Sequence, residues 1–276
     1  MPTPVHCRGR MQVKTTGGAR RAIAIAAASA LFAAASIAVA ASDEGPVTVT
    51  AGNLEVTANG AITPKAFPKT RFAPAGFWAE GKIATLDGTH IPAARTFVIK
   101  GDKNVALTVK GYPTCTAGKL QARDTKAAEK VCAPAIVGEG QATAEVVFPE
   151  QKPILAKSKI LAINGGEKGG VVTLYIHAFL TAPVTAAIVT VVKIKKVRDG
   201  RYGTLSTSTI PKIANGAGSV KSFTLKLNKK WSYKGKKMSL ISAKCPDGRL
   251  QADVEANFAD GTKAAATIVR TCTPQG

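Results

Sequence analysis

Along residues 249–258 apolar and polar side chains alternate without a break. Leu250, Ala252, Val254, Ala256 and Phe258 fill the even positions, and Arg249, Gln251, Asp253, Glu255 and Asn257 fill the odd ones. A period of two is the mark of a strand with one dry and one wet face. Ala259-Asp260-Gly261 follows as a three-residue hairpin loop, with Gly261 suited to the left-handed conformation that such a loop needs. This register sets Val254 against Ala266 and Ala252 against Ile268, so apolar meets apolar on one face. It also sets Cys272 opposite Gly248, next to Cys245, so that a bridge can close the base of the hairpin.

Similar patterns predict strands at 47–57, 76–85, 95–100, 104–110, 141–148, 159–164, 171–180 and 186–198. Residues 67–74 read as a basic connector punctuated by Pro68 and Pro74. The run 165–170, Gly-Gly-Glu-Lys-Gly-Gly, lacks the spacing of a phosphate-binding loop and is predicted to be a flexible hairpin loop. One helical turn is expected at 124–130, with Asp124 as its N-cap. The strand at 171–180 is apolar on both faces: Val172, Leu174, Ile176, Ala178 and Leu180 on one, Val171, Thr173, Tyr175, His177 and Phe179 on the other. Both faces require cover. Tyr175, His177 and Phe179 are the candidates to line a cavity for an apolar ligand. In the alternative, a loop or second sheet covers that face and His177 is hydrogen-bonded and inert.

The first forty residues look like an export signal. Lys14, Arg20 and Arg21 precede an Ala-rich apolar run from 22 to 37, and Ala38-Val39-Ala40 has the small-x-small form of a cleavage site, with cleavage expected after Ala40 or Ala41. The run is shorter and less apolar than a membrane span requires. Residues 41–66 are expected to form an N-terminal extension with one strand, and 67–276 a β-rich domain. Matching segments near 115–122 and 245–252 suggest two related β-units at 76–150 and 200–272.

The chain holds 38 Lys and Arg against 17 Asp and Glu, a formal net charge of +21. The leader removes five basic residues and no acidic one, so the mature chain stays strongly basic. Such charge favours an anionic cell-wall polymer, a membrane surface or, less aptly, nucleic acid. Two clusters are candidates for an anionic ligand: Lys193, Lys195 and Lys196, and then Lys229, Lys230, Lys236 and Lys237 interleaved with Trp231 and Tyr233. Lysine-rich turns also guard exposed hairpins against edge-to-edge association.

Four cysteines follow the leader, and closing the shortest loops pairs Cys115 with Cys132 and Cys245 with Cys272. A zinc site is disfavoured by the absence of a C-x₂-C pair with a nearby His. Nothing points to catalysis. The leader is followed only by His90 and His177, no serine-hydrolase or metalloprotease motif occurs, and Asp253 and Glu255 share a solvated strand face. No metal, cofactor or catalytic residue is therefore assigned.

Gly111-Tyr-Pro-Thr-Cys115, Cys132-Ala-Pro-Ala-Ile-Val-Gly-Glu-Gly140, Ser242-Ala-Lys-Cys-Pro246, Phe67-Pro68-Lys69, Ala73-Pro74, Asp87-Gly88, Tyr202-Gly-Thr and Asp260-Gly261 together resemble a family of exported actinobacterial proteins. The resemblance runs from Ala66 to Cys272. It implies secretion, a β-rich fold and two bridges, and it supplies no activity. The expectation is an all-β protein, an antiparallel sandwich or open barrel stapled by disulfides. Its expected function is non-catalytic binding of an anionic polymer or membrane through a basic surface, with carriage of a lipid or other apolar molecule as the alternative.

Overall fold

The computed structural model describes residues 45–276 and the backbone strand Ala38–Ala40. Apart from that strand, which runs parallel to residues 266–268, the leader expected over 1–40 lies outside the described residues, as does position 41.

Twelve long strands form the wall of a nearly closed antiparallel barrel. They are β1 Val47–Ala51, β2 Leu54–Thr63, β3 Ala73–Thr85, β4 Ala94–Asp102, β5 Ile136–Val146 and β6 Ile154–Lys168. The others are β7 Val171–Leu180, β8 Ala186–Asp199, β9 Tyr202–Thr209, β10 Gly218–Leu227, β11 Arg249–Phe258 and β12 Lys263–Thr271. Around the wall the order is β1-β2-β3-β10-β5-β6-β7-β8-β9-β4-β11-β12. Between β1 and β12 lies a seam that no ladder among the described residues bridges.

The terminal hairpin forms in the register its alternation dictates: Val254 pairs with Ala266 and Ala252 with Ile268. Gly261 takes φ +89° in the loop, and the Cys272 N–H donates to the Gly248 carbonyl at 2.8 Å. Both disulfides are present, Cys115–Cys132 and Cys245–Cys272. The predicted helical turn is α1, Thr125–Cys132, and the Asp124 carboxylate accepts from the Ala127 N–H at 2.7 Å.

Elsewhere the boundaries shift. The span 47–57 is two strands, because Gly52 at φ +57° turns the chain after Ala51. The stretch 41–66, expected as an extension, therefore supplies β1 and β2 to the barrel. The glycine run at 165–170 is mostly strand: β6 continues to Lys168, and only Gly169 and Gly170, both at positive φ, make the turn. Of the strand expected at 104–110, only Val105–Leu107 forms, and it pairs with Ile241–Ala243. The segments 115–122 and 245–252, matched in sequence, differ in structure. The first is a loop with a single 3-10 turn and the second enters β11.

Alternation sorts the wall into two faces. Ile176, Val192, Ile99 and Val254 point inward, while Lys157, Lys159, Lys193, Lys195 and Glu255 lie on the outer face. The loop 111–124, α1 and the residues up to β5 form an excursion packed on the outside of β6 and β7. There Leu120, Ala128 and the Cys115–Cys132 bridge bury Leu161 and Ile163.

Candidate functional site

The barrel is hollow. A cavity of about 660 Å³ runs inside it, lined mainly by apolar side chains from β2 through β12. Two features of the sequence leave that space. An eight-stranded barrel is just filled by its own side chains, and twelve strands enclose a wider lumen. Many inward positions are also small, among them Ala58, Ala79, Ala142, Ala156, Ala178 and Ala252. Where opposite walls do approach, large rings meet: Phe97 of β4 and Phe223 of β10 lie 6.1 Å apart between centroids. Gly81 permits this, since a Cβ there would stand 2.5 Å from the Phe223 ring.

Each end of the lumen has its own closure. At one end the Val105–Leu107 and Ile241–Ala243 strands fold over the start of β3, and Phe67, Leu240, Tyr112 and the Cys245–Cys272 bridge pack into one buried cluster. Phe67 is carried there by Ala66–Pro68, which pairs in parallel with Thr273–Gln275. At the other end Ile213, on the loop between β9 and β10, turns inward and lines the cavity with Ile210. The neighbouring loop 86–93 buries Ile91. His90 and Lys221 each contact the Glu145 carboxylate at 3.0 Å, and the Ser219 hydroxyl bonds the Ile91 carbonyl. Burial works against the Glu145 charge, yet these two partners hold its pKa below the usual glutamate value.

Tyr175, His177 and Phe179 do not line the cavity. The lumen belongs to the opposite face of β7, with Leu174, Ile176, Ala178 and Leu180. Tyr175 and His177 are covered by the outer excursion, where His177 is fully buried and its Nε2–H donates to the Arg123 carbonyl at 3.0 Å. Burial pushes the His177 imidazole below its ordinary pKa, so it sits there neutral.

Lys193, Lys195, Lys196, Lys229, Lys230, Lys236 and Lys237 are all exposed. Both clusters lie at the capped end, since Lys195 pairs with Val171 at the start of β7 and the second group follows the end of β10. Trp231 and Tyr233 are structural instead of free platforms. The Trp231 indole donates to the Lys110 carbonyl at 3.0 Å and its ring lies 4.9 Å from that of Tyr112, while Tyr233 packs on Gly111.

Between the lumen and its cap sits a polar knot that the alternation could not reveal. Asp102, 1% exposed, accepts from the backbone N–H of Asn104 at 2.8 Å and of Gln251 at 2.9 Å, and from Arg201 Nε at 2.6 Å. Arg201 also pairs with Asp247, and this guanidinium holds the Asp247 carboxyl below the usual range. Among the described residues no group of three or more His, Cys, Asp or Glu is placed to hold a metal ion.

No family model, curated protein or solved structure matches this chain.

Proposed function

We propose that the protein is a non-catalytic binding protein that carries an apolar small molecule inside its barrel. The observation that carries this reading is the cavity of about 660 Å³ with its mainly apolar lining, a volume within the range of small-molecule sites. The sidedness of the wall supports it. A barrel that spans a membrane turns an apolar band outward and keeps a polar interior. Here the strands place lysines outward and isoleucines, valines and leucines inward, the arrangement of a container with its outer face in water. Binding of the dye N-phenyl-1-naphthylamine tests the proposal. The expected result is saturable binding with little dependence on salt, lost on filling the lumen by Ala178→Phe with Ala252→Phe while the far-ultraviolet circular dichroism is retained. Absence of dye binding, or binding that survives the filled lumen, overturns it.

A second reading concerns the exposed lysines at the capped end, which would draw the loaded barrel to an anionic polymer or membrane surface. Retention on an anionic resin that falls steeply with salt, and falls again on charge reversal at Lys229, Lys230, Lys236 and Lys237, is its expected signature.

A further inference from the structure

One sector of the lumen differs from the rest. Along β9 the inward positions are Thr204, Ser206 and Ser208, and the adjoining strand β8 adds Thr190. By register Ser206 stands between Ile194 of β8 and Ile99 of β4, and Ser208 between Val192 and Phe97. Ser206 and Ser208 are therefore flanked on both sides by apolar wall, while Thr204 stands opposite Lys196 and Gly101. Among the described residues none of the four hydroxyls has a hydrogen-bond partner, and none is sealed away from open space. Thr190 is only 9% exposed and lines the lumen. Gly101 keeps Thr204 uncovered, because a Cβ at that position would stand 2.6 Å from its hydroxyl oxygen. Of the four, Thr190 is buried, and an unpaired buried hydroxyl is costly where nothing fills the lumen, while Thr204, Ser206 and Ser208 are partly exposed to the same space.

We propose that this band docks the hydrogen-bonding group of the ligand, and that the ligand is an uncharged, mainly apolar molecule carrying a hydroxyl or carbonyl. The inference rests on the cavity reading above. Hydroxyls can donate to a carbonyl and either donate to or accept from an alcohol, so both groups satisfy them. A carboxylate or ammonium at the band would lose its water with no opposite charge beside it. The charged groups that line the lumen elsewhere are Lys65, Glu80, Asp102 and Arg270, and none of them is free: Glu80 accepts from Asn59 Nδ2 at 3.0 Å, Asp102 is engaged by Arg201, Arg270 by the carbonyls of Gly45 and Gly60 and by Asn59, and Lys65 also has a partner. Arg270 lies on β12, three strands from β9, roughly 14 Å along the wall at the usual strand spacing.

The test is displacement of bound N-phenyl-1-naphthylamine by three probes of one chain length: 1-decanol, decane and decanoate. For the wild-type protein the expected order is decanol first, about tenfold tighter than decane, the worth of roughly one good hydrogen bond. In the triple variant Thr190→Val, Ser206→Ala, Ser208→Ala the dye should still bind and the preference for decanol should vanish. Thr190→Val alone, an isosteric change, should weaken it severalfold and guards against a folding defect in the triple variant. Equal displacement by decanol and decane, a preference that survives in both variants, or decanoate as the strongest competitor would overturn the proposal and leave the cavity reading standing. Failure of the wild-type protein to bind the dye would overturn both.

Discussion

Asp102 shows how much a single residue can hold together in this barrel. Its carboxylate ties the end of β4 to the start of β11 and to the β8–β9 turn, through two backbone N–H groups and the Arg201 guanidinium. A buried ion pair adds little over a well-packed apolar pair, but removing one partner strands the other charge. Arg201→Met is therefore expected to destabilise the protein by about 3–5 kcal/mol, read as a lower urea midpoint. Asp102→Asn keeps the two backbone contacts only in part and should cost less. Acid should weaken the same knot through Asp247. Its carboxyl is held below its unfolded value by Arg201, so its contribution is complete above the unfolded pKa, about 4, and is lost as the pH falls further. The wild-type protein should lose more stability than Arg201→Met between pH 5 and pH 3 in denaturant titrations. None of this was legible in the sequence. Asp102 and Arg201 are separated by 99 positions, and nothing in their local patterns points from one to the other.

At the level of elements the sequence was most readable where structure is local. The β11–β12 register follows from alternation and a Gly-bearing loop, and α1 follows from Asp124, since both need only residues within a few turns of chain. What β7 would bury on each side was not readable. Both faces carry large apolar side chains, and which one looks into the lumen is decided by barrel closure and by an excursion that returns from before β5 to cover the other. That excursion is held by the Cys115–Cys132 bridge and by His177. Replacing both cysteines by serine opens a loop of sequence separation 17, worth about 3 kcal/mol in the chain-entropy account. Amide exchange should quicken across 112–135 while β11 and β12 keep their protection; uniform quickening would mean that the excursion is integral to the barrel. His177 adds a pH dependence of known sign. Its imidazole pKa is depressed by burial, so the stabilisation it permits is complete above the unfolded value near 6.5 and is lost as the pH falls, when the unfolded chain takes up the proton first. The melting temperature of the wild-type protein should therefore fall more between pH 8 and pH 5 than that of His177→Gln.

For the molecule as a whole, twelve strands and their small inward residues make a lumen, but alternation alone would equally describe a filled sandwich. Only the count of strands and the near closure of the sheet separate the two. At the seam between β12 and β1 the two strands do not pair with each other, and the free edge of β12 is paired only at 266–268, by the strand Ala38–Ala40. Val47, Val49, Ala266 and Ile268 belong to one buried apolar cluster there. Arg270 supplies directed bonds where β12 and β1 do not pair: Nε donates to the Gly60 carbonyl at 2.9 Å, and one terminal nitrogen donates to the Gly45 carbonyl at 2.7 Å and to Asn59 Oδ1 at 2.8 Å. Burial works against the guanidinium charge, and these oxygens offset that cost. Arg270→Met keeps the bulk of the side chain and removes the donors. If the guanidinium closes the wall, amide exchange in the variant should rise across 47–63 and stay unchanged in β6 through β9, and bound N-phenyl-1-naphthylamine should leave faster, because an unlatched seam gives a lateral way out of the lumen. If the apolar cluster alone suffices, both rates will match the wild-type protein, and the ligand must pass instead at the end that Ile213 covers.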